Sequence, residues 1–357
     1  MSERAARPLG IGFVGAGMVG QFAHMASFAR IAGVRLVALA EIRPRLRAAV
    51  AERYEIPHAY ATHAEMLEDR AVQAVVVVTR RPATGPVVYD ALCAGKHVLS
   101  EKPMAYTLEQ GERLVAEAEK RKLRYAIGFM KRHDVGVEEA VRAVGRARDS
   151  AGYGALVAVR AYGRGGATEV PADAEVLMTN EPRPDGIVVW PIGPSWLPPV
   201  YAGQYDKFLN VHSHLVNLVR LYVGEPAIRV ARIDDPNEGT IEAVTAGGVP
   251  CTFEFAYGTE GVWTEGIEFT FERGRISLEL PAPFRAGGAA TIVLESAGAR
   301  RAVRTFPGVS WAFERQAQAF ADDVRERREP LASGRDSLGD LRFTEAAWRA
   351  TLEAAVP

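Results

Sequence analysis

The sequence predicts two α/β domains: an N-terminal domain with a doubly wound parallel sheet, and a C-terminal domain with a large, mostly antiparallel, open sheet. Three observations support this prediction. Short apolar strands alternate with helical stretches over the first 130 residues. A glycine-rich turn follows the first strand, and period-2 alternation dominates much of the region after Ala227. A chain of 357 residues also fits two domains better than one.

Composition excludes several classes of protein. Lys and Arg number 43 against 44 Asp and Glu, so a net charge of -1 gives no reason to expect binding to nucleic acid or to a membrane surface. The longest apolar runs, such as Ala74–Val78, are far shorter than a membrane span. Only Cys93 and Cys251 are present, and no signal core precedes Leu9, so we expect a cytoplasmic protein without disulfides.

The first domain is expected to cover residues 1–130. Its strands carry no internal polar alternation, which is typical of a parallel sheet covered on both faces. Gly95 is expected to close its third helix. Strands are predicted at Leu9–Val14, Val34–Ala40, Ala74–Val78, His97–Leu99 and Arg124–Phe129, and helices at Met18–Arg30, Arg43–Tyr54, Val87–Ala94 and Leu108–Lys120.

The second domain is expected to cover residues 131–357, with final helices that pack back on the first domain. Its long stretch Gly163–Asp206 is rich in Gly and Pro, and such segments often build binding sites or lids. Helices are predicted at Val135–Val144, Phe208–Tyr222, Trp311–Arg327 and Asp336–Ala354, and strands at Ala155–Tyr162, Cys251–Tyr257, Gly266–Phe271 and Arg275–Leu280.

The turn after the first strand has the pattern of a dinucleotide-binding loop. Gly15 permits a tight strand-to-helix turn, Gly17 lets the backbone approach a pyrophosphate, and Gly20 allows the helix to pack on the strand. The phosphates would lie at the helix N-terminus, whose unpaired N–H groups favour an anion. We therefore predict a Rossmann domain that binds a dinucleotide through Gly15, Gly17, Met18, Val19, Gly20, Glu41, Thr79, Glu101 and Lys102.

The end of the second strand predicts the choice of dinucleotide. Glu41 follows Gly20 by 21 residues, where a carboxylate accepts hydrogen bonds from ribose hydroxyls and repels a 2′-phosphate. NAD is therefore expected, and NADP stays possible because Arg43, Arg45 or Arg47 could turn toward a 2′-phosphate. The alternative role of these arginines is a solvated helix face.

A second motif lies at the end of a short strand. Lys102 precedes Pro103, and proline favours extended geometry in the residue before it. The carboxyl edge of an open α/β sheet is where ligands bind. An ammonium group there can hold a substrate hydroxyl or stabilise developing oxyanion charge during hydride transfer.

Taken together, these motifs resemble the Gfo/Idh/MocA oxidoreductase family, which includes glucose-fructose oxidoreductase and inositol dehydrogenase. The resemblance extends over nearly the whole chain, through the Gly15–Gly20 turn, AGKHVLSEKP at 94–103, GFMKRHD at 128–134 and FERQAQAFADDV from Phe313. It implies a Rossmann domain, a second domain with a large sheet, and assembly into homodimers or homotetramers through the open face of that sheet.

The resemblance also implies site residues. Lys102 matches the family's catalytic-site lysine, and His214 matches the histidine that accepts the proton of the oxidised alcohol. The family's aspartate four residues before that histidine is replaced by Asn210, which can orient Lys102 but supplies no charge. Lys102 could then have a lowered pKa and take part in proton transfer itself, or dehydrogenase activity could be lost.

Substrate contacts are expected from Met130, Lys131, His212 and Trp190. Trp190, Trp196, Tyr201 and Tyr205 could cover a polyhydroxylated ring, or could simply pack the proline-rich segment. His212 and His214 would face one side on a strand and suit a metal, but would diverge by about 200° on a helix. No third ligand is evident by spacing, so no metal is predicted.

The sequence therefore predicts an NAD(P)-dependent oxidoreductase acting on a secondary hydroxyl or ketone of a sugar, glycoside or cyclitol. Two alternatives stay open. A tightly bound cofactor could cycle between oxidation and reduction, giving transfer between sugars or isomerisation. A catalytically silent dinucleotide or sugar sensor would explain Asn210, although a sensor has no chemical need for Lys102 or His214.

Overall fold

The computed structural model describes residues 7–166, 174–182, 184, 186–235, 238–257, 262–298 and 300–354. Within these residues the first domain holds a six-stranded parallel sheet in the order β3-β2-β1-β4-β5-β6. Its strands are Leu9–Val14 (β1), Val34–Ala40 (β2), His58–Tyr60 (β3), Ala74–Val77 (β4), His97–Ser100 (β5) and Tyr125–Ile127 (β6). The predicted doubly wound fold is confirmed.

Helices cover both faces of this sheet. The first helix, α1, combines the π-helical turn Gly20–Met25 with Ala26–Phe28. The short elements β3 and α3 were not predicted, although Thr62 and Glu65 form a capping box at the start of α3. The other helices of this domain are Pro44–Arg53 (α2), His63–Leu67 (α3), Arg81–Cys93 (α4) and Leu108–Lys120 (α5).

Helix α4 begins six residues before the predicted start at Val87. Pro82 is tolerated in the first turn, where an N–H would be unpaired, but Pro86 lies inside the helix and lacks the N–H that would bond to the Pro82 carbonyl. That carbonyl accepts the backbone N–H of Trp190 instead, at 3.0 Å. The predicted start of α4 was wrong because a backbone N–H far along the chain, that of Trp190, pairs with the carbonyl that Pro86 leaves without a donor.

The second domain is built on an eight-stranded sheet within the described residues, in the order β14-β13-β12-β11-β7-β10-β9-β8. The β7–β10 pair is parallel and the others are antiparallel, which confirms the predicted sheet. The strands are Leu156–Gly165 (β7), Ala227–Asp235 (β8), Glu238–Val244 (β9), Pro250–Tyr257 (β10), Thr264–Phe271 (β11), Gly274–Leu280 (β12), Thr291–Ser296 (β13) and Ala302–Arg304 (β14).

One face of this sheet packs on helices and the other carries charge. Val135–Arg148 (α6) and Ala202–Val223 (α7) lie on the apolar face. On the opposite face an ion-pair ladder crosses the strands through Glu254, Arg160, Glu268, Arg275 and Glu295. Assembly through this face stays a prediction.

The last two helices return to the first domain. Ala312–Glu326 (α8) contributes Ala317, Phe320 and Val324 to the core that includes Phe28, and Gly334–Ala354 (α9) packs on α5 and α7. Both domains are therefore joined by a continuous apolar interior. Among the described residues, no helix combines the length and apolarity needed to cross a bilayer.

Candidate active site

Most of the predicted site residues lie at one edge of the first sheet. Because all its strands are parallel, the residues that follow β1, β2, β4, β5 and β6 meet at the carboxyl edge. These residues are Gly15, Glu41, Thr79, Lys102 and Lys131. Helix α7 of the second domain closes this edge on one side, which brings Asn210 and His214 to Lys102.

The glycine turn has the geometry that a pyrophosphate requires. Gly15 has φ +92°, and a Cβ there would lie 2.3 Å from the Val78 carbonyl oxygen. No atom lies within 4 Å of a Cβ built on Gly17, so the backbone is open to a ligand at that point. A Cβ built on Gly20 would lie 3.0 Å from the Gly15 carbonyl oxygen, so a side chain at this position would push the helix away from the strand. The residues present fit a dinucleotide phosphate.

Glu41 is drawn into the same turn. Its Oε2 accepts the Ala16 N–H at 2.8 Å, and Arg43 donates to its two oxygens from Nε at 2.8 Å and Nη2 at 3.0 Å. Burial raises the pKa of Glu41, but the bonds from Arg43 and Ala16 outweigh burial and hold the pKa below its ordinary value. The carboxylate is therefore ionised and beside the position expected for the adenosine ribose, and its pairing occupies Arg43.

This pairing predicts how cofactor choice can be changed. In Glu41→Ser, the negative charge that repels a 2′-phosphate is removed and Arg43 is released to bind it. We expect the ratio of NADH to NADPH affinity to fall roughly tenfold or more. Fluorescence titration with both dinucleotides measures the ratio, and Glu52→Ser, on the exposed face of α2, should leave it unchanged. An unchanged ratio in Glu41→Ser would assign the carboxylate a structural role.

Lys102 points across the domain junction to helix α7. Its Nζ donates to the main-chain carbonyl of Asn210 at 2.7 Å and to the side-chain Oδ1 at 3.3 Å. The bond between Lys102 and Pro103 is cis. Burial lowers the pKa of Lys102 to about 8, and the positive charges of Arg81 and Lys131 act in the same direction. Burial is the largest cause of this lowered pKa, and the effect of a neutral residue at position 210 stays a prediction.

His214 lies on the same side of α7, one turn after Asn210. Its ring is 6% exposed and meets the Phe129 ring edge-on at 5.5 Å. Burial, and then the charges of Lys102 and Lys131, lower the pKa of His214 well below its ordinary value. Within the described residues its Nδ1 has no hydrogen-bond partner. The imidazole is therefore neutral at pH 7, which is the form that can accept a proton.

Lys131 brings a second cation to this site, and its partner was not predicted. Its Nζ pairs with the Glu265 carboxylate on β11, and Oε2 of that carboxylate also accepts the Trp263 Nε1–H at 3.0 Å. The signal was present in the sequence: Glu265 stands in phase with Ile267 and Phe269, which face the core. A carboxylate at an inward strand position is a reason to expect function.

A second unpredicted cluster joins the two domains. Asp206, one turn before Asn210 on α7, accepts two bonds from the Arg81 guanidinium, at 2.8 and 2.5 Å, and one from the Tyr106 hydroxyl at 2.5 Å. Burial raises the pKa of Asp206, but these bonds lower it below its ordinary value. Since Arg81 starts α4 and Asp206 belongs to α7, the cluster fixes the first domain against the helix that carries His214.

Two predicted cofactor residues are engaged in bonds within the first domain. Glu101 Oε1 lies 2.7 Å from the buried His24 Nε2, and Oε2 accepts the Lys102 N–H at 3.1 Å. The Thr79 hydroxyl lies 3.1 Å from that of Thr84. Their contact with a cofactor, like that of Met18 and Val19, stays a prediction.

Trp190 is half-buried and packs on Gly85 of α4, and its contact with substrate stays a prediction. A Cβ at Gly85 would lie 2.3 Å from the indole, and Arg113 lies over the ring at 5.4 Å. Trp190 is held here by the space that Gly85 leaves for its indole and by the Pro82 carbonyl, which accepts its backbone N–H. Trp196, Tyr201 and Tyr205 pack similarly against Arg349 or Trp348 of α9. These aromatic residues pack the long segment.

His212 does not join His214 at this edge of the sheet, and its contact with substrate stays a prediction. Because α7 is helical, His212 points away from His214, and its ring packs 4.3 Å from Phe255 and 5.3 Å from Phe208. Met130 is 3% exposed and belongs to the apolar cluster that contains Trp311 and Phe313, so its contact with substrate stays a prediction. Within the described residues no group of three or more His, Cys, Asp or Glu could hold a metal ion.

Comparison with known proteins agrees with this geometry. Residues 9–129 match the Gfo/Idh/MocA model, described as an oxidoreductase family with an NAD-binding Rossmann fold. Inositol 2-dehydrogenase of Rubrobacter xylanophilus is 34% identical over 184 residues, which cover 50% of this chain and 49% of that protein. The enzyme of the same name from Ralstonia nicotianae is 35% identical over 150 residues, covering 41% and 43%. The chain thus spans about half the length of these curated relatives or less.

Solved structures match over nearly the whole chain. KijD10, a 3-ketoreductase from Actinomadura kijaniata crystallised with NADP, has a TM-score of 0.74 at 20% identity, covering 96% of this chain and 97% of its own. Aldose-aldose oxidoreductase from Caulobacter crescentus, complexed with glycerol, has a TM-score of 0.75 at 23% identity, covering 98% of each chain. At these identities the match establishes the two-domain fold.

Proposed function

Since residues 9–129 match the Gfo/Idh/MocA oxidoreductase family, with its NAD-binding Rossmann fold, we propose that the whole chain is an NAD(P)-dependent oxidoreductase. It transfers a hydride between nicotinamide and a secondary hydroxyl or ketone of a sugar, glycoside or cyclitol. One observation carries this proposal: the Lys102 ammonium reaches Asn210 on the helix that holds His214, at the sheet edge where the glycine turn lies. A sensor would have no chemical use for this pair.

The protein groups divide the work at the reacting oxygen. In oxidation, the neutral imidazole of His214 accepts the hydroxyl proton, while the Lys102 ammonium donates a hydrogen bond to the oxygen and stabilises its negative charge. In reduction, the same two groups polarise the ketone and return the proton. Asn210 holds Lys102 in place without adding charge. Burial keeps the pKa of Lys102 at about 8, low enough for it to exchange a proton near neutral pH.

The dinucleotide would be held by the glycine turn and Glu41. Backbone N–H groups at the start of α1 would bind its phosphates, and the Glu41 carboxylate would accept ribose hydroxyls. When bound, its nicotinamide supplies the hydride acceptor or donor. NAD is the proposed cofactor because Glu41 is ionised and occupies Arg43.

The proposal is tested by nicotinamide absorbance. Purified protein is mixed with NAD or NADP and with each of a panel of myo-inositol, D-glucose, D-galactose and methyl glucosides. NADH and NADPH are tested with the matching ketones. We expect a substrate-dependent absorbance change with at least one compound, larger with NAD than with NADP. Dinucleotide binding with no redox change across the panel would favour the sensor.

The neutral residue at position 210 predicts a specific pH effect. If protonated Lys102 stabilises the oxygen, kcat/KM falls as pH rises through the Lys102 pKa of about 8. In Asn210→Asp a negative charge beside the ammonium favours its charged form, so the pKa rises, and the fall moves to higher pH by roughly one to three units. The pH dependence of kcat/KM for both proteins tests this. If kcat/KM falls at the same pH in Asn210→Asp as in wild type, the ionisation of Lys102 does not control the rate.

A second candidate function is supported by residues 174–182, here called the strap. The strap crosses the first domain between the starts of α1 and α2, which flank Glu41. The Leu177 N–H and carbonyl bond to the Gln21 side chain, both at 2.9 Å, and the Glu181 carboxylate accepts the N–H groups of Arg45 and Leu46 at 2.8 and 3.0 Å. A strap over the adenosine end of the site would slow cofactor release and favour redox cycling between two sugars.

Loosening the strap should speed cofactor release. Glu181→Ala removes the acceptor for two N–H groups at the start of α2, so we expect NADH to dissociate roughly tenfold faster. Stopped-flow displacement of NADH measures the rate. Glu175→Gln is the matched control, because its pair with Arg53 is exposed to solvent. Equal rates in wild type and Glu181→Ala would show that the strap does not retain the cofactor.

A further inference from the structure

Glu265 occupies a position that strand geometry reserves for apolar side chains. On β11 the alternate residues Ile267, Phe269 and Phe271 are all buried, and Glu265 points to the same side and is 5% exposed. Its outward neighbour Glu268 pairs instead with Arg160 in the surface ladder. Burying a carboxylate and an ammonium is costly even when they pair, so an apolar pair of similar volume would serve stability at least as well.

The partners of Glu265 leave hydrogen-bonding capacity unused. Lys131 Nζ and Trp263 Nε1 both donate to its Oε2, and among the described residues its Oε1 accepts no hydrogen bond. Lys131 donates one bond out of three possible. The Trp263 ring lies 5.6 Å from Lys131 Nζ. The group thus offers an acceptor, two donors and an aromatic face.

This group adjoins the reaction centre. Lys131 is two residues after Phe129, whose ring meets that of His214. The positive charge of Lys131 lowers the pKa of both His214 and Lys102. The negative charge of Glu265 raises the pKa of Lys102. A ring whose reacting carbon lies between Lys102 and His214 would therefore present its neighbouring substituents to Lys131 and Glu265.

We propose that Glu265 and Lys131 form a buried acceptor–donor pair that binds two neighbouring hydroxyls of a neutral polyol ring, with the Trp263 indole against that ring. This inference rests on the proposed oxidoreductase function and specifies its substrate. Adjacent ring hydroxyls can donate to one group and accept from the other, and the C–H face of such a ring packs on indole. Because the pair is neutral overall, it does not favour an anionic sugar, whose carboxylate or phosphate would meet Glu265.

The test measures kcat/KM for each of several enzyme variants on each of several substrate analogues. The most active polyol of the panel, its monodeoxy analogues and the corresponding uronate are assayed with wild type, Glu265→Gln and Trp263→Phe. The matched control is Glu268→Gln, which changes the same residue type on the outward face of the same strand. In wild type we expect the deoxy analogue that lacks the bound hydroxyl to lose kcat/KM by roughly 10- to 150-fold, the factor for one hydrogen bond to a charged group, and the uronate to be poor.

The decisive result is non-additivity. Glu265→Gln keeps a neutral acceptor but removes the charged one, so it should lose a large part of this factor on the parent polyol, mostly in KM. It should lose little more on that one analogue, because the analogue makes no hydrogen bond to the carboxylate. Equal losses on every analogue, or a preference for the uronate, would overturn the proposal. Trp263→Phe leaves a smaller aromatic ring and removes one donor to Glu265. If Glu265→Gln fails to fold, the loss on the deoxy analogue in wild type and a raised KM in Trp263→Phe test the proposal, and an unchanged KM in Trp263→Phe would overturn it. Absence of redox activity in wild type would instead contradict the oxidoreductase function.

Discussion

We expect Lys102→Met to abolish most turnover while leaving dinucleotide affinity largely intact. The substitution leaves a side chain only one atom shorter and removes the only group that reaches from the sheet edge to Asn210 among the described residues. A positioned donor at a developing oxyanion is worth about 10²- to 10³-fold in rate. Because the reacting oxygen also loses a partner in proton exchange, we expect kcat to fall by about 10³-fold or more.

Lys96→Met is the matched control for this effect. Lys96 lies just before the same strand, and its Nζ donates to the main-chain carbonyls of Asp69 and Val72 at 3.0 and 2.7 Å, far along the strand from the carboxyl edge. Its loss should affect stability and leave kcat nearly unchanged. Initial rates and NADH titrations on both variants separate these roles. A Lys102→Met enzyme with more than about a tenth of wild-type kcat would exclude the proposed role for Lys102.

Arg220→Ala should destabilise the protein by about 3–5 kcal/mol. Arg220 on α7 donates to the buried carboxylate of Asp340 on α9 at 2.7 Å, and Asn217 donates to the other oxygen at 2.8 Å. Burial already raises the pKa of Asp340 to about 6. Without Arg220 that pKa rises further above the unfolded value, so the destabilisation is largest above the folded pKa and shrinks as pH falls and Asp340 becomes protonated.

Denaturant unfolding followed by tryptophan fluorescence measures this change, since Trp348 is fully buried on α9. Arg342→Ala is the control on the same helix. Arg342 pairs with Glu225 near the surface, where both side chains are over 40% exposed, and its loss should cost about 0–1 kcal/mol. Equal losses in the two variants, or a loss for Arg220→Ala that does not change with pH, would show that the buried charge is not the cause.

The parts of the fold that follow local rules were predictable. Strands β1 and β2 and helix α5 have the predicted bounds, because apolar runs, glycine turns and capping residues act within a few residues of one another. The glycine turn, Glu41 and Lys102 were predictable for a related reason. Parallel strands bring their carboxyl ends to one edge, so residues far apart in sequence are placed by a single rule.

The residues that local rules did not reveal depend on contacts between elements far apart in sequence. Asp206 pairs with Arg81 across 125 residues, and Lys131 pairs with Glu265 across 134. The packing position of Trp190 was not predictable because Gly85 and Pro86, which sequence rules treat as helix breakers, create it within α4. Of these residues, only Glu265 could be recognised from its sequence neighbours, because it places a charge at an inward position of an alternating strand.

The most direct test of the account follows a hydride from sugar to cofactor. The most active compound of the panel is prepared with deuterium at its oxidisable carbon and incubated with the protein and NAD, and the reduced dinucleotide is analysed by mass spectrometry. Direct transfer predicts NADH about one mass unit heavier, formed by wild type and lost in Lys102→Met. Unlabelled NADH, or no reduced dinucleotide from any compound that the protein binds, would contradict the account.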